Sequence, residues 1–455
     1  GWSIFEEEPF CYFCIMRKTC PLFVEDVAYF RHRLLEAGRH FSRFALLDSH
    51  RSGNPSSFNV HNRYDFIAAM GAVEEMKAGE GDGFTRLHRF AESLGDWLFG
   101  HFSYDLKNEV EQLSSAHPDE VEFPALHFFQ PLWVVLGKGK DVWLEYLPGR
   151  VSDQEISDFT EQLTGVGPHA SIGNALGLTT SLQSRFTKEE YLQAVNDLKN
   201  HIQRGDVYEV TFCQEYFARG RIDPFAVQRE LGALSPAPFS CFYRLDDRYL
   251  LCASPERFLS KKGDQLISQP IKGTIARGRT PEEDKKHREN LRKDIKEQAE
   301  NVMIVDLVRN DLSRTALPQT VKVDELFGIY AFPQVHQMIS TISARIDPHH
   351  YLQSIRNAFP MGSMTGAPKV RAMELIEQYE RSRRGVYSGA VGYFDPRKDF
   401  DFNVVIRSIL YNSEKNYVSF QVGGAITSLS DPQREYEECQ VKAKALKKVL
   451  TQTRE

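Results

Sequence analysis

Apolar residues recur at helical spacing along VEDVAYFRHRLLEAG (24–38), and the run stops at Gly38, which predicts a helix there. RFALLDSHRS, which follows after a short gap, reads as a strand ending in a polar turn. Residues 92–150 mix a helix, the sharp HFSYDLKNEVE stretch and strands such as PLWVVLG and DVWLEYL. Gly, Ser and Thr then crowd together, so 163–184 is expected to be a linker or loop. Beyond it, TKEEYLQAVNDLKNHIQRGD predicts an amphipathic helix capped by Thr187 and closed by Gly205. KDIKEQAENVMIVDLVRNDLSR, APKVRAMELIEQYE and PQREYEECQVKAKALKKVL predict further helices. VYEVTFCQEYFA, FSCFYRL, RYLLCASPERFL, YSGAVGYFD, FNVVIRSILY and YVSFQVGGAIT predict strands. Strands outnumber what a helical bundle allows and their connections are short. The fold class expected is α+β, with large, mostly antiparallel sheets flanked by helices.

Composition narrows the function classes. The chain has 455 residues, long for one small domain and consistent with roughly two to three units. A net charge of -6 without a dense Lys/Arg run argues against nucleic acid as a partner. No apolar stretch approaches the length of a membrane span, so no membrane partner is expected. Seven cysteines, an odd number spread along the chain, predict reduced thiols and a cytoplasmic protein. Cys11 and Cys14 form a CxxC, but no second pair follows that would complete a zinc or redox site. GWSIFEEEPFCYFCI, before Met16, carries acids where a secretory signal carries bases. Residues 1–15 are therefore expected to be an upstream extension without a role in the fold.

Two predicted helices each carry glutamates three apart, Glu297 with Glu300 and Glu435 with Glu438, and this spacing puts each pair on one face. If the helices converge, four carboxylates need a hard cation such as Mg²⁺; if they do not, the glutamates are salt-bridged surface groups. GSMTGAPK (362–369) and GGAITSLSDP (423–432) each run into a helix, with Pro368 expected at the first helical position of one. Free backbone N–H groups there could hold an anion, or the segments are plain glycine turns. Arg407, within FNVVIRSILY, is either a snorkelling edge residue or a carboxylate clamp. Tyr393 and His336 are lone polar groups in apolar company.

ASPERF, QPIKGTIARG, ENVMIVDLVRNDLSR, GSMTGAPKVRAMELIE, YSGAVGY, NVVIRS and EYEECQVKAKAL, in this order, closely resemble the chorismate-utilising enzyme family. That family includes component I of anthranilate synthase and of aminodeoxychorismate synthase, and the isochorismate and salicylate synthases. The resemblance covers roughly residues 185–450, within an expected catalytic domain of 185–455. It implies an αβ sandwich of two sheets, with Mg²⁺ and chorismate in a central cleft. Glu300 and Glu438 are then direct metal ligands, with Glu297 and Glu435 acting through water. Thr274, Thr365, Tyr393, Arg407 and the backbone of Gly423 and Gly424 grip the substrate. Glu256 is the general acid at the departing C4 hydroxyl, and His336 is the active-site histidine. In the amino-terminal part (16–162) only ALLDS (45–49) is similar, to a segment lining a tryptophan pocket, with Asp48 where Glu is usual.

Lys272 separates the branches. PIKGT resembles aminodeoxychorismate synthase component I, where anthranilate synthases have PIAGT. A lysine amine attacking C2 expels the C4 hydroxyl through a double-bond shift; ammonia then enters C4 and expels the lysine. The amine must be neutral to attack, and burial together with a nearby cation is expected to lower its pKa. Glu209 stands where isochorismate and salicylate synthases have a water-activating lysine, and is expected to accept a hydrogen bond from ammonia. The chain shows no Cys-His-Glu glutaminase signature, so a separate glutamine amidotransferase subunit is the implied ammonia source. Anthranilate synthase component I and a catalytically inactive binding subunit are the alternatives.

Overall fold

The computed structural model describes residues 16–50, 61–79, 81–165, 178–333 and 335–451. The extension 1–15, the CxxC pair and residues 166–177 of the expected linker lie outside the described residues. Every strand pairing within the sheet is antiparallel, and hydrogen bonding joins 20 described strands into one continuous network where two sheets were expected. Strands from both sides of the 163–184 stretch belong to it. Arg43–Asp48 pairs with Phe239–Leu245, and Leu98–Phe102 pairs with Ala390–Phe394.

Two apolar cores lie against this network. Phe99, Phe102, Phe128, Ile342 and Phe402 belong to one, and Phe44, Phe66, Tyr191, Phe242 and Phe420 to the other. The strand Glu209–Arg219 separates them: Phe212 enters one core and its neighbour Cys213 the other, as strand alternation requires. Tyr417–Ile426 pairs along its length, from Arg219 to Val210. On its other edge that strand pairs with Ser408–Asn412 only as far as Phe420.

Local chemistry sets the helix ends. Thr187 accepts from Glu190 N while Glu190 bonds back to Thr187 N, opening Lys188–Gln203 with a reciprocal cap. Tyr191, Ala194, Val195 and Leu198 follow at helical spacing and are buried. Asp294 caps Ile295–Ser313 by accepting from Glu297 N at 3.0 Å. Asp431 does the same for Pro432–Thr451 through Arg434 N at 2.9 Å.

Three local expectations change. FNVVIRSILY is two strands, Phe400–Asn403 and Ser408–Asn412, and Arg407 between them has φ +50°, a left-handed conformation unusual for a bulky side chain. Pro368 is the N-cap of Lys369–Tyr379, one position before the expected place. Gly423 and Gly424 lie within the strand Tyr417–Ile426, so the turn into the last helix begins only after Ile426.

Candidate active site

The lysine strand Ile271–Ala276 carries Lys272 directly before Gly273, whose φ of +96° only glycine adopts without strain. The register against Val335–Arg345 shifts between Ile271 and Thr274, so Lys272 and Gly273 form a bulge. A Cβ on Gly273 would lie 3.2 Å from Glu297 Oε2, which puts this bulge against the glutamate helix. Lys272 Nζ donates to Glu209 Oε1 at 3.0 Å. Glu209 is buried, and its Oε2 has no hydrogen-bond partner. Burial pulls the Lys272 pKa down, but the carboxylates of Glu209, Glu300 and Glu256 outweigh it, and the ammonium is held charged. The expectation of a lysine neutralised by burial is therefore corrected: the carboxylates around it dominate.

Glu256 follows Ser254 at a strand end and is buried, its backbone N–H bonded to Ser254 Oγ and its carbonyl accepting from Val404 N. Burial pushes its carboxyl up to about 7, against the Ser363 hydroxyl and the Lys272 and Arg407 charges. It is thus a proton donor near neutral pH. Arg407 is partly buried, which lowers its pKa against the pull of Glu256, and its guanidinium makes no hydrogen bond or ion pair among the described residues. A cation withdrawn from water without a partner is a site for an anion.

The glutamate helices do converge. Lys296 Nζ lies 3.7 Å from Glu300 Oε1 on its own helix and 4.0 Å from Glu435 Oε1 on the other. Lys442 Nζ lies 2.7 Å from Glu438 Oε1 and donates to Gly423 O at 2.8 Å. A Cβ on Gly424 would stand 3.4 Å from Glu435 Oε2 and 3.8 Å from Glu438 Oε1. Burial raises the carboxyl pKa of Glu297 and Glu435, and that of Glu300 to about 7. For Glu438 burial acts the same way, but Lys442 outweighs it and the net shift is downward. As placed, no three His, Cys, Asp or Glu side chains among the described residues are gathered closely enough to grip an ion. The donor set nevertheless fits a hard cation: Glu300 and Glu435 stand within 4.0 Å of one ammonium whose charge also interacts with Glu297 and Glu438, and the buried Glu300 Oε1 has no hydrogen-bond partner.

Residues 42–448 match the model of the chorismate binding enzyme family. The chain belongs to that family. It is 32% identical over 409 residues to aminodeoxychorismate synthase component 1 of Klebsiella aerogenes, covering 84% of this chain and 88% of the relative. It is 35% identical over 357 residues to anthranilate synthase component 1 of Thermus thermophilus, covering 78% and 77%. The solved structure of anthranilate synthase component I from Streptococcus pneumoniae superimposes with a TM-score of 0.74 at 25% identity, covering 88% of this chain and 94% of that one.

Within this chorismate binding enzyme, other candidates fall nearer to or farther from Lys272. The Thr365 turn is pinned close by, because Thr211 N donates to Thr365 O at 2.7 Å and Arg384 donates to Met364 O at 2.6 Å. The Thr365 hydroxyl is buried and bonded to Met361 O and Gly362 O. Thr274 is exposed on the lysine strand. His336 lies on the strand paired with the lysine strand and has no hydrogen bond or ion pair to Glu256 or Lys272 among the described residues. It faces Asp284 at 2.8 Å, and Asp284 is held by Arg277 and Gly278 N. Burial lowers the His336 pKa against the pull of Asp284.

Tyr393 also stands apart, packed on Trp97, Phe99 and Tyr64. With Asp48, Arg63, Tyr64 and Phe239 it lines a separate pocket in the region where ALLDS was read. Tyr387 is the tyrosine near the glycine strand: its hydroxyl lies 3.6 Å from Cys213 Sγ, and Cys213 pairs with Gly423. YSGAVGY thus holds two tyrosines with different neighbours. The five described cysteines are all free, and no described helix is long and apolar enough to cross a membrane.

Proposed function

We propose that this protein is an aminodeoxychorismate synthase component I, joining ammonia to C4 of chorismate through a covalent adduct on Lys272. The observation that carries the reading is one charge group containing a lysine, a carboxylate in contact with it and a carboxylic acid still protonated near pH 7. Relatives named aminodeoxychorismate synthase component 1 support it, including that of Bacillus subtilis at 31% identity over 444 residues.

The steps follow from the contacts. Lys272 passes a proton to Glu209 Oε1, and its lone pair bonds to C2 of the ring. Both ring double bonds shift, C1=C2 to C1=C6 and C5=C6 to C4=C5, the C4–O bond breaks, and Glu256 gives its proton to the oxygen, which leaves as water. Ammonia, accepted by the free Glu209 Oε2, bonds to C4. Both double bonds shift back, the C2–N bond breaks, and the lysine leaves as an amine. The proton lost by the new C4 ammonium restores Glu256, and Glu209 returns its proton to Lys272. The product keeps its enolpyruvyl group. Arg407 binds a substrate carboxylate.

Glu300 and Glu438, with Glu297 and Glu435 around them, would hold Mg²⁺. Bound there, the ion neutralises a ring carboxylate and fixes the substrate's register. The proposal places the protein in the cytoplasm, fed with ammonia by a separate glutamine amidotransferase subunit, as "component 1" in the relatives' names suggests. Anthranilate synthase component I is the second reading, favoured by the Thermus relative and disfavoured by Lys272.

Product identity tests the choice. Chorismate, Mg²⁺ and ammonia should give a product that a separate lyase converts to 4-aminobenzoate. Direct release of pyruvate with fluorescent 2-aminobenzoate would establish the second reading instead.

A further inference from the structure

The four clustered carboxylates carry four negative charges when ionised, and Lys296 and Lys442 return two. The remaining charge is minus two, and minus three once one lysine has left, so a divalent cation is attracted even as it displaces a lysine. The two lysines are not held alike. Lys442 is fixed at 2.7 and 2.8 Å by Glu438 and Gly423 O. Lys296 stands 3.7 and 4.0 Å from Glu300 and Glu435, too far for a hydrogen bond to either, with its side chain 44% exposed. Its charge interacts with all four glutamates. It is therefore the counter-ion positioned between the two helices, and the one with least to lose by leaving.

We propose that Lys296 is a displaceable counter-ion. Its ammonium holds the two glutamate helices together without metal, and swings to solvent when a divalent cation takes its place. Glu300 and Glu435, one from each helix, both stand within 4.0 Å of this one ammonium, so a cation taking its place meets carboxylates from both helices. The exchange makes Lys296 a determinant of metal affinity, although it has no lone pair to offer while charged. This rests on the metal reading of the four glutamates given above.

Titration calorimetry of Mg²⁺ into the whole protein tests it, comparing the unsubstituted chain with Lys296→Met and, should that variant fold poorly, Lys296→Gln. Loss of the competing charge should tighten Mg²⁺ binding by about tenfold at low ionic strength, and less as salt screens the cluster. A second readout needs no variant. Acetylation of Lys296 by a lysine-directed reagent, followed by peptide mass spectrometry, should speed up when Mg²⁺ is added. Equal or weaker binding by the variants, or acetylation unchanged by Mg²⁺, would overturn the proposal and leave the glutamate site standing. Absence of Mg²⁺ binding to any of the proteins would remove both.

Discussion

Glu209 and Lys272, 63 positions apart in the chain, meet across the cleft with Oε1 and Nζ 3.0 Å apart, and the second glutamate oxygen is buried without a hydrogen bond. An ion pair this well enclosed is usually a resting arrangement. Here the same contact is also the shortest route by which the lysine can shed the proton that keeps it from reacting. The pair therefore opposes catalysis electrostatically and enables it chemically.

Glu209→Gln keeps the size of the side chain and a hydrogen bond to Lys272 but cannot take its proton. Ammonia-dependent turnover should fall on the order of 10²-fold, with the KM for chorismate little changed. Steady-state kinetics with ammonia in place of glutamine checks this. Full turnover in the variant would remove Glu209 from the proton path.

Glu256 couples function to stability. Its carboxyl moves from 4.5 to about 7 on folding, so the folded state holds a proton that the unfolded chain has already released. Stability is therefore lost as pH rises from about 4.5 to about 7, and the loss is complete above that. Glu256→Gln escapes it. The variant should be more stable than the parent at pH 8, by on the order of 3 kcal/mol, and no more stable at pH 4, while losing 10²-fold or more of its turnover. Denaturant unfolding at the two pH values gives the difference directly.

The same carboxyl sets the alkaline limb of the unsubstituted enzyme. At a fixed concentration of free ammonia, kcat/KM for chorismate should fall as pH rises through about 7, because the acid form of Glu256 is the one that acts. A pH profile of kcat/KM at constant free ammonia reads it out.

Among the described residues the Arg407 guanidinium has no hydrogen bond or ion pair to lose. Arg407→Ala should raise the KM for chorismate by about 10–100-fold, the value of one or two charged hydrogen bonds. It should not lower the melting temperature, since the variant no longer buries an unpaired cation. A large drop in melting temperature would show that the guanidinium serves the fold.

Much of the architecture is legible from one-dimensional patterns because the forces that set it are local. The Thr187–Glu190 cap, the Asp431 cap and the i,i+3 glutamate pairs act within one or two helical turns, and all can be read from spacing. What escapes is decided by contacts between distant segments. FNVVIRSILY alternates like a strand, yet Arg407 breaks it at φ +50°, and no propensity distinguishes that position from its neighbours. Burial of Lys272 was foreseeable; the three carboxylates that reverse its effect come from elsewhere in the chain. Tyr393 and Tyr387 share one short motif, yet one lines the pocket beside Asp48 and the other lies against Cys213. Lys296 reads as an ordinary solvated lysine until the second glutamate helix is laid beside it.

The most direct test follows Lys272 itself. Lys272→Ala and the unsubstituted protein should each be mixed with chorismate and Mg²⁺, and then examined by intact-protein mass spectrometry and product analysis after ammonia is added. The unsubstituted protein alone should gain the mass of one dehydrated chorismate, mapped to the peptide holding Lys272, and the variant should give no 4-amino product. Formation of that product by Lys272→Ala at an undiminished rate would contradict the covalent role of Lys272.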